Sequence, residues 1–253
     1  MARSTGDFDY ETHGSGYARQ RRTDPRIAAL VHEALGDVRT ILNVGAGAGS
    51  YEPEDRHVLA IEPSGAMRAQ RPPHLAPAIH GVAEALPFDD ASVDAAMAMV
   101  TVHQWPELEK GLGELRRVAR GPVVVMTFDG DAMDRYWLAD YVPELISVER
   151  RRMPAIETIR AGLGGRMEVR AIPIPADCVD GFCEAFYARP ECLLDPRVRA
   201  AQSAWGFVGE EIKARFVNAL SRDLASGAWD ARYGAWRRLP SYEGSLRLIV
   251  GWP

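Results

Sequence analysis

The sequence lacks the marks of several large functional classes. Lysine is almost absent: Lys110 and Lys213 are the only two among 30 basic residues, and the net charge is −5. That balance argues against nucleic acid or an anionic membrane surface as the main partner. The three cysteines, Cys178, Cys183 and Cys192, are odd in number and show no C-x-x-C spacing. A disulfide framework and a zinc site are therefore not expected, and a reducing compartment fits. No H-E-x-x-H occurs either, so no metal is expected. No apolar run approaches the ~18 residues of a membrane span. Residues 1–16 are polar, without the apolar core of a secretory signal. A cytoplasmic protein is the expectation. Internal repeats, heptads and low-complexity tracts are missing as well.

What is present is ordinary globular material. Hydrophobic residues make up 47% and charged residues 26% of 253, enough to bury a sizeable core. The chain is organised around Thr40 to Ser50. This stretch begins as a short apolar run of the kind that forms a buried parallel strand. It then breaks into glycines at alternate positions, Gly45, Gly47 and Gly49. A backbone without Cβ can turn sharply there and lie close against a ligand. A glycine loop leaving a buried strand is how open α/β sheets receive nucleotide-like molecules.

Spacing narrows the choice. The dinucleotide fingerprint G-x-G-x-x-G fails, because Ser50 stands where the last glycine belongs. The phosphate loop G-x-x-x-x-G-K-[ST] fails for want of a lysine. What stands here is G-x-G-x-G. Beyond it a second apolar strand, Val58 to Ile61, ends in Glu62. A carboxylate at the tip of a neighbouring strand can accept hydrogen bonds from both hydroxyls of a ribose.

With these residues in view, the sequence resembles the class I S-adenosylmethionine-dependent methyltransferases, particularly the small-molecule branch related to the ubiquinone and menaquinone methyltransferases. Val44 to Gly49, with Gly45, Ala46, Gly47 and Gly49, matches the family's glycine motif. Leu59 to Ser64, with Glu62 and Pro63, matches its ribose-binding strand end. Gly81 to Phe88, with Ala83 and Glu84, matches the segment that walls the adenine. Val93 to Trp105, with Val100, matches the fourth strand and the loop over the reacting methyl group. The resemblance covers residues 25 to 128 well and the remainder loosely. It implies a Rossmann-like α/β fold with a mostly parallel sheet of about seven strands, the last antiparallel. It also implies S-adenosylmethionine as cofactor.

The sequence departs from the family in places. Asn43 stands where Asp or Glu is more usual. Val82 replaces an Asp that can bond the adenine, leaving the backbone of Ala83 and apolar walls. Only about eleven residues, Ala46 to Arg56, separate the first two strands, and Pro53 falls among them. A parallel crossover needs about a dozen residues, so its helix must shrink to about a turn. Tyr51 and Glu52 then sit close to the ligand crevice, and Tyr51 becomes a candidate substrate contact.

The coarse reading is one domain over residues 1–253. An arm spans 1–23, and the core spans about 25–130 and 166–174 with 244–251. Asp24-Pro25 starts a helix ending at Gly36. Strands are expected at 77–82, 93–102, 122–128, 167–174 and 245–250, and a helix at 108–118. The aromatic-rich stretch of about 176–242 is too long for loop and is read as a helical lid. The Arg150-Arg151-Arg152 triplet reads as a solvated face. On the arm, Tyr17 can offer an aromatic face to a sulfonium cation, and a nearby Arg can meet its carboxylate.

The expected activity is transfer of a methyl group to O, N or C of a small-molecule acceptor. His103 is the histidine that the motif places near the chemistry, and its unperturbed pKa suits a base near neutral pH. Trp105 is read as a substrate wall. Rival readings are another S-adenosylmethionine-using reaction, such as cyclisation or aminocarboxypropyl transfer, and a non-catalytic cofactor-binding subunit. The acceptor and the oligomeric state are not legible here.

Overall fold

A computed structural model describes residues 6–14 and 16–253. Of the expected arm, residues 1–5 and Ser15 lie outside the described residues. Apolar runs form β1 Thr40–Val44, β2 His57–Ile61, β3 Ala95–Met99 and β4 Val123–Phe128. After them come β5 Arg166–Ala171, the two-residue strands β6 Ile174–Pro175 and β7 Ser241–Tyr242, and β8 Leu246–Trp252. Six strands make the main sheet in the order β2-β1-β3-β4-β8-β5, and β6 pairs with β7 separately. The pairs β1–β2, β1–β3 and β3–β4 are parallel, and β8 runs antiparallel to both β4 and β5.

The sheet has six strands where about seven were expected. The missing one is the strand expected at 77–82. There Ile79 makes a single parallel bridge to Ile61 and the ladder goes no further. Pro72, Pro73 and Pro77 crowd its approach, and proline brings no N–H to a ladder.

Helices cover the sheet on both faces. The arm carries two single-turn helices, α1 Tyr10–His13 and α2 Tyr17–Gln20. Next come α3 Pro25–Leu35, α4 Gly65–Arg68 and α5 Leu108–Val118. The region after β4 holds α6 Leu138–Tyr141, α7 Pro143–Arg152 and α8 Ile156–Leu163. The expected lid holds α9 Pro196–Ala200, α10 Glu210–Ser226 and α11 Ala228–Tyr233, with several 3-10 turns between them. Asp24 caps α3 by accepting from the Arg26 N–H, and it also accepts from the Val179 N–H, which ties the helix to the lid.

Strand alternation decides which side chain meets which layer. Along β4, Val123 and Val125 point to the face covered by Leu112, Leu115, Ile159 and Leu163 of α5 and α8. Val124 and Met126 point to the other face, against α3 and the lid, where Trp137, Phe216 and Trp229 are buried. Burying each such apolar side chain stabilises the fold by about 1.5–3 kcal/mol. The Arg triplet is not uniformly solvated. Arg152 turns inward to Asp7 at 2.6 Å and Glu149 at 2.9 Å, with its guanidinium over the Phe207 ring. None of the helices described is long and apolar enough to cross a membrane.

Candidate active site

The carboxyl ends of β1, β2 and β3 open into a cleft of about 560 Å³. The glycine loop forms one wall. Gly45 and Ala46 donate their N–H groups to the Ile61 carbonyl at 2.9 Å, which pins the loop to β2. At Gly45 the backbone takes φ +69°, and an added Cβ would lie 2.1 Å from the Thr101 hydroxyl. Only glycine fits there. Gly47 donates to Glu62 Oε2 at 2.8 Å, and Ser64 N–H donates to Glu62 Oε1 at 2.8 Å. Burial raises the Glu62 carboxyl above its ordinary value, while those two N–H donors and Arg68 oppose the shift.

Gly49 does not border the cleft as expected. It turns the chain beneath the loop, where an added Cβ would meet Leu75 at 2.4 Å. The crossover from 45 to 56 holds turns and no helix, so side chains must brace it. Asn43 donates to Glu52 Oε1 at 2.8 Å, and Arg71 grips both Glu52 oxygens at 3.0 and 2.8 Å. The carboxylate missing at position 43 is thus present nearby, on Glu52.

Pro63, Ala83, Glu84, Val100 and Tyr17 all line the cleft. Glu84 accepts from the Glu107 N–H at 3.2 Å. Trp105 lines the cleft too, packed against Gly111, and does not line the inner space described below. Tyr51 lies at the cleft wall with φ 66°, but its buried hydroxyl donates to Asp180 at 2.8 Å.

The arm closes over this cleft. Glu11 accepts from the Ser64 hydroxyl at 2.8 Å and from the Ala66 N–H at 3.2 Å. Gln70 donates to the Gly14 carbonyl and accepts from the Ala18 N–H. Arg21 then pairs with Asp180 of the lid at 2.5 Å, with its guanidinium 5.3 Å from the Tyr17 ring centre.

Behind the cleft lies a second space, a chamber of about 70 Å³. Tyr10, Tyr17, Arg21 and Val100 border both spaces, so the two meet there. Val100 holds φ +53°, an outlier for a β-branched residue, and its N–H donates to the Met126 carbonyl at 2.7 Å. Such strain concentrates at functional positions. Phe128, Tyr136, Met153 and Phe182 make the chamber largely apolar.

His103 lines the chamber, with Nδ1 enclosed and unpaired among the described residues. Burial and then Arg152 hold its pKa down to about 3. Burial thus disfavours the imidazolium, so the ring is a weaker base than an unperturbed pKa implies. Two carboxyls join it. Burial raises Glu149 despite its Arg152 partner. Burial pushes Glu184 up to about 7, although both its oxygens accept from the Ser245 N–H. Sequence reasoning missed both. The signal available was a lone Glu inside an aromatic run, Phe182-Cys183-Glu184-Ala185-Phe186.

The cleft suits a nucleoside-type cofactor on its own chemistry. It has a glycine loop along one wall, a buried carboxylate at the strand tip, and a volume within the ~300–1,000 Å³ of ligand sites. A family model described as a methyltransferase domain matches residues 42–125. A solved structure assigned as a methyltransferase of an antibiotic biosynthesis pathway in Anabaena variabilis ATCC 29413 is 31% identical. The match covers 92% of this chain and 98% of that one, with a TM-score of 0.85. An S-adenosylmethionine-dependent methyltransferase of Thermotoga maritima is 16% identical over 96% and 97% of the two chains, TM-score 0.57. The phosphoethanolamine N-methyltransferase 2 of Haemonchus contortus, solved with S-adenosylhomocysteine, is 14% identical over 96% and 57%, TM-score 0.56. No curated protein matches the sequence. The narrower resemblance to quinone methyltransferases finds no support in these relatives. The cofactor is S-adenosylmethionine, and the chain belongs to the class I S-adenosylmethionine-dependent methyltransferases.

Proposed function

We propose that this enzyme methylates O, N or C of a small molecule seated in the inner chamber, and that arm, sheet and lid work as one domain. The observation that carries the reading is the junction at Tyr10, Tyr17, Arg21 and Val100, where an apolar chamber opens onto the cofactor cleft. When bound, S-adenosylmethionine supplies an electrophilic methyl group on a sulfonium. The protein's task is then to hold a nucleophile in line and to keep water out.

Named residues divide that task. The Glu62 carboxylate holds the ribose hydroxyls, using lone pairs beyond those given to Gly47 and Ser64. Gly45, Ala46 and Gly47 let the backbone approach closely, and Pro63, Ala83 and Glu84 border the rest of the nucleoside. Tyr17 lies at the junction, where its ring can face a cation. His103 accepts the acceptor's O–H or N–H at Nδ1, and as the methyl–sulfur bond breaks and the new bond forms, that proton passes to the imidazole and S-adenosylhomocysteine leaves.

The test is transfer of label from methyl-tritiated S-adenosylmethionine to a panel of small hydroxyl, amine and activated-carbon compounds. We expect label in at least one acceptor and its loss in Glu62→Ala. Consumption of the cofactor without a methylated product would contradict the reading.

A further inference from the structure

The inner chamber carries more information than its position. Five rings line it, from Tyr10, Tyr17, Phe128, Tyr136 and Phe182, so its walls favour a flat apolar body. Its arginine and carboxyl groups already have hydrogen-bond partners. Among the described residues that line it, Arg21 is the only guanidinium, and Asp180 holds it at 2.5 Å. Glu149 is held by Arg152 at 2.9 Å, and Glu184 by the Ser245 N–H at 2.8 Å. An anionic acceptor would meet two carboxyls and a guanidinium already spent. A cationic one would meet that guanidinium and carboxyls already occupied. Burying an unpaired charge is costly in either case.

Two residues of the lining hold an atom without a hydrogen-bond partner among the described residues, Ser245 at Oγ and His103 at Nδ1. Of the two it is His103 that stands at the junction with the cleft, after Val100 at the end of β3. Nδ1 of His103 is enclosed and makes no hydrogen bond among the described residues. Buried polar atoms are paired in nearly all structures, and an exception points to a missing ligand. Resting on the methyltransferase reading above, we infer that the acceptor is a small uncharged aromatic molecule presenting an O–H or N–H to Nδ1 of His103. The same contact sets the ring's orientation, because His103 follows Val100 and Thr101 at the end of β3, where chamber and cleft meet.

Four rings of similar size test this by isothermal titration into protein saturated with S-adenosylhomocysteine: phenol, toluene, benzoate and benzylamine. Phenol should bind about fivefold tighter than toluene, the worth of one ordinary hydrogen bond. Benzoate and benzylamine should each bind at least about tenfold weaker than phenol. In His103→Phe, phenol and toluene should come within about twofold of each other. His103→Asn, which keeps an acceptor oxygen, should recover part of the preference.

Tighter binding of benzoate or benzylamine, a phenol preference that survives in His103→Phe, or no binding of any ring at millimolar concentration overturns the inference. Failure of S-adenosylhomocysteine itself to bind is a separate outcome and removes the reading on which the inference rests.

Discussion

The two halves of the site are built by different means. The cofactor cleft is mostly backbone and strand ends: Gly45 to Gly47, the Ile61 carbonyl and the tip of β2. The inner chamber, where we place the acceptor, is side chains drawn from the arm, β4, α7, the lid and the residue before β8. A backbone-built site depends on a few glycines at fixed spacing, so it is shared across many acceptors. A side-chain-built site can be rewritten one residue at a time. The cofactor half should therefore be brittle to single substitutions and the acceptor half adjustable.

The largest effect should come from breaking the backbone half. Gly45→Ala places a Cβ 2.1 Å from the Thr101 hydroxyl at φ +69°. S-adenosylhomocysteine affinity should fall about hundredfold, or about 2.7 kcal/mol, measured by titration alongside a thermal melt. Gly36→Ala has the same φ but open space around it. It should cost only about 1 kcal/mol of stability and leave binding alone.

The second effect is in the chamber and depends on pH. Glu184 has its pKa raised by burial to about 7 from 4.5. The folded state therefore binds more protons than the unfolded state between those values, so stability falls as pH rises through that window. The stabilisation is complete below about pH 4.5 and lost above about 7, on the order of 3 kcal/mol in all. Glu184→Gln should flatten that slope in denaturant melts at pH 5 and pH 8. An unchanged slope would assign the pH dependence to another group.

Glu62→Gln should weaken S-adenosylhomocysteine binding about tenfold, while phenol binding to the chamber moves by less than about twofold. Equal losses at both would erase the distinction between the halves. Asp7→Asn should matter least. Its ion pair with Arg152 is partly exposed, so about 0.5 kcal/mol or less is expected in a melt.

The same contrast explains what could be read from sequence. Gly45 and Glu62 were legible because each directly follows an apolar strand, and both line the cleft. His103 was placed correctly at the end of β3, but its low pKa depends on burial and on Arg152 of α7, 49 residues away. Gly49 matched the motif yet serves packing against Leu75, because the shortened crossover brings the segment after α4 under the loop. The strand expected at 77–82 shrank to one bridge, since prolines override an apolar pattern. Glu149 and the Arg21–Asp180 pair had no local signature, and Glu184 had only its place inside an aromatic run. They meet only once arm and lid fold onto the sheet.

The most direct test of the division between cleft and chamber is a crystal structure of the protein with S-adenosylhomocysteine bound. The account predicts the ribose on Glu62, the amino-acid end toward Tyr17 and Val100, and no part of the ligand in the chamber. A ribose away from Glu62, or an amino-acid end filling the space beside His103 and Glu184, would contradict it.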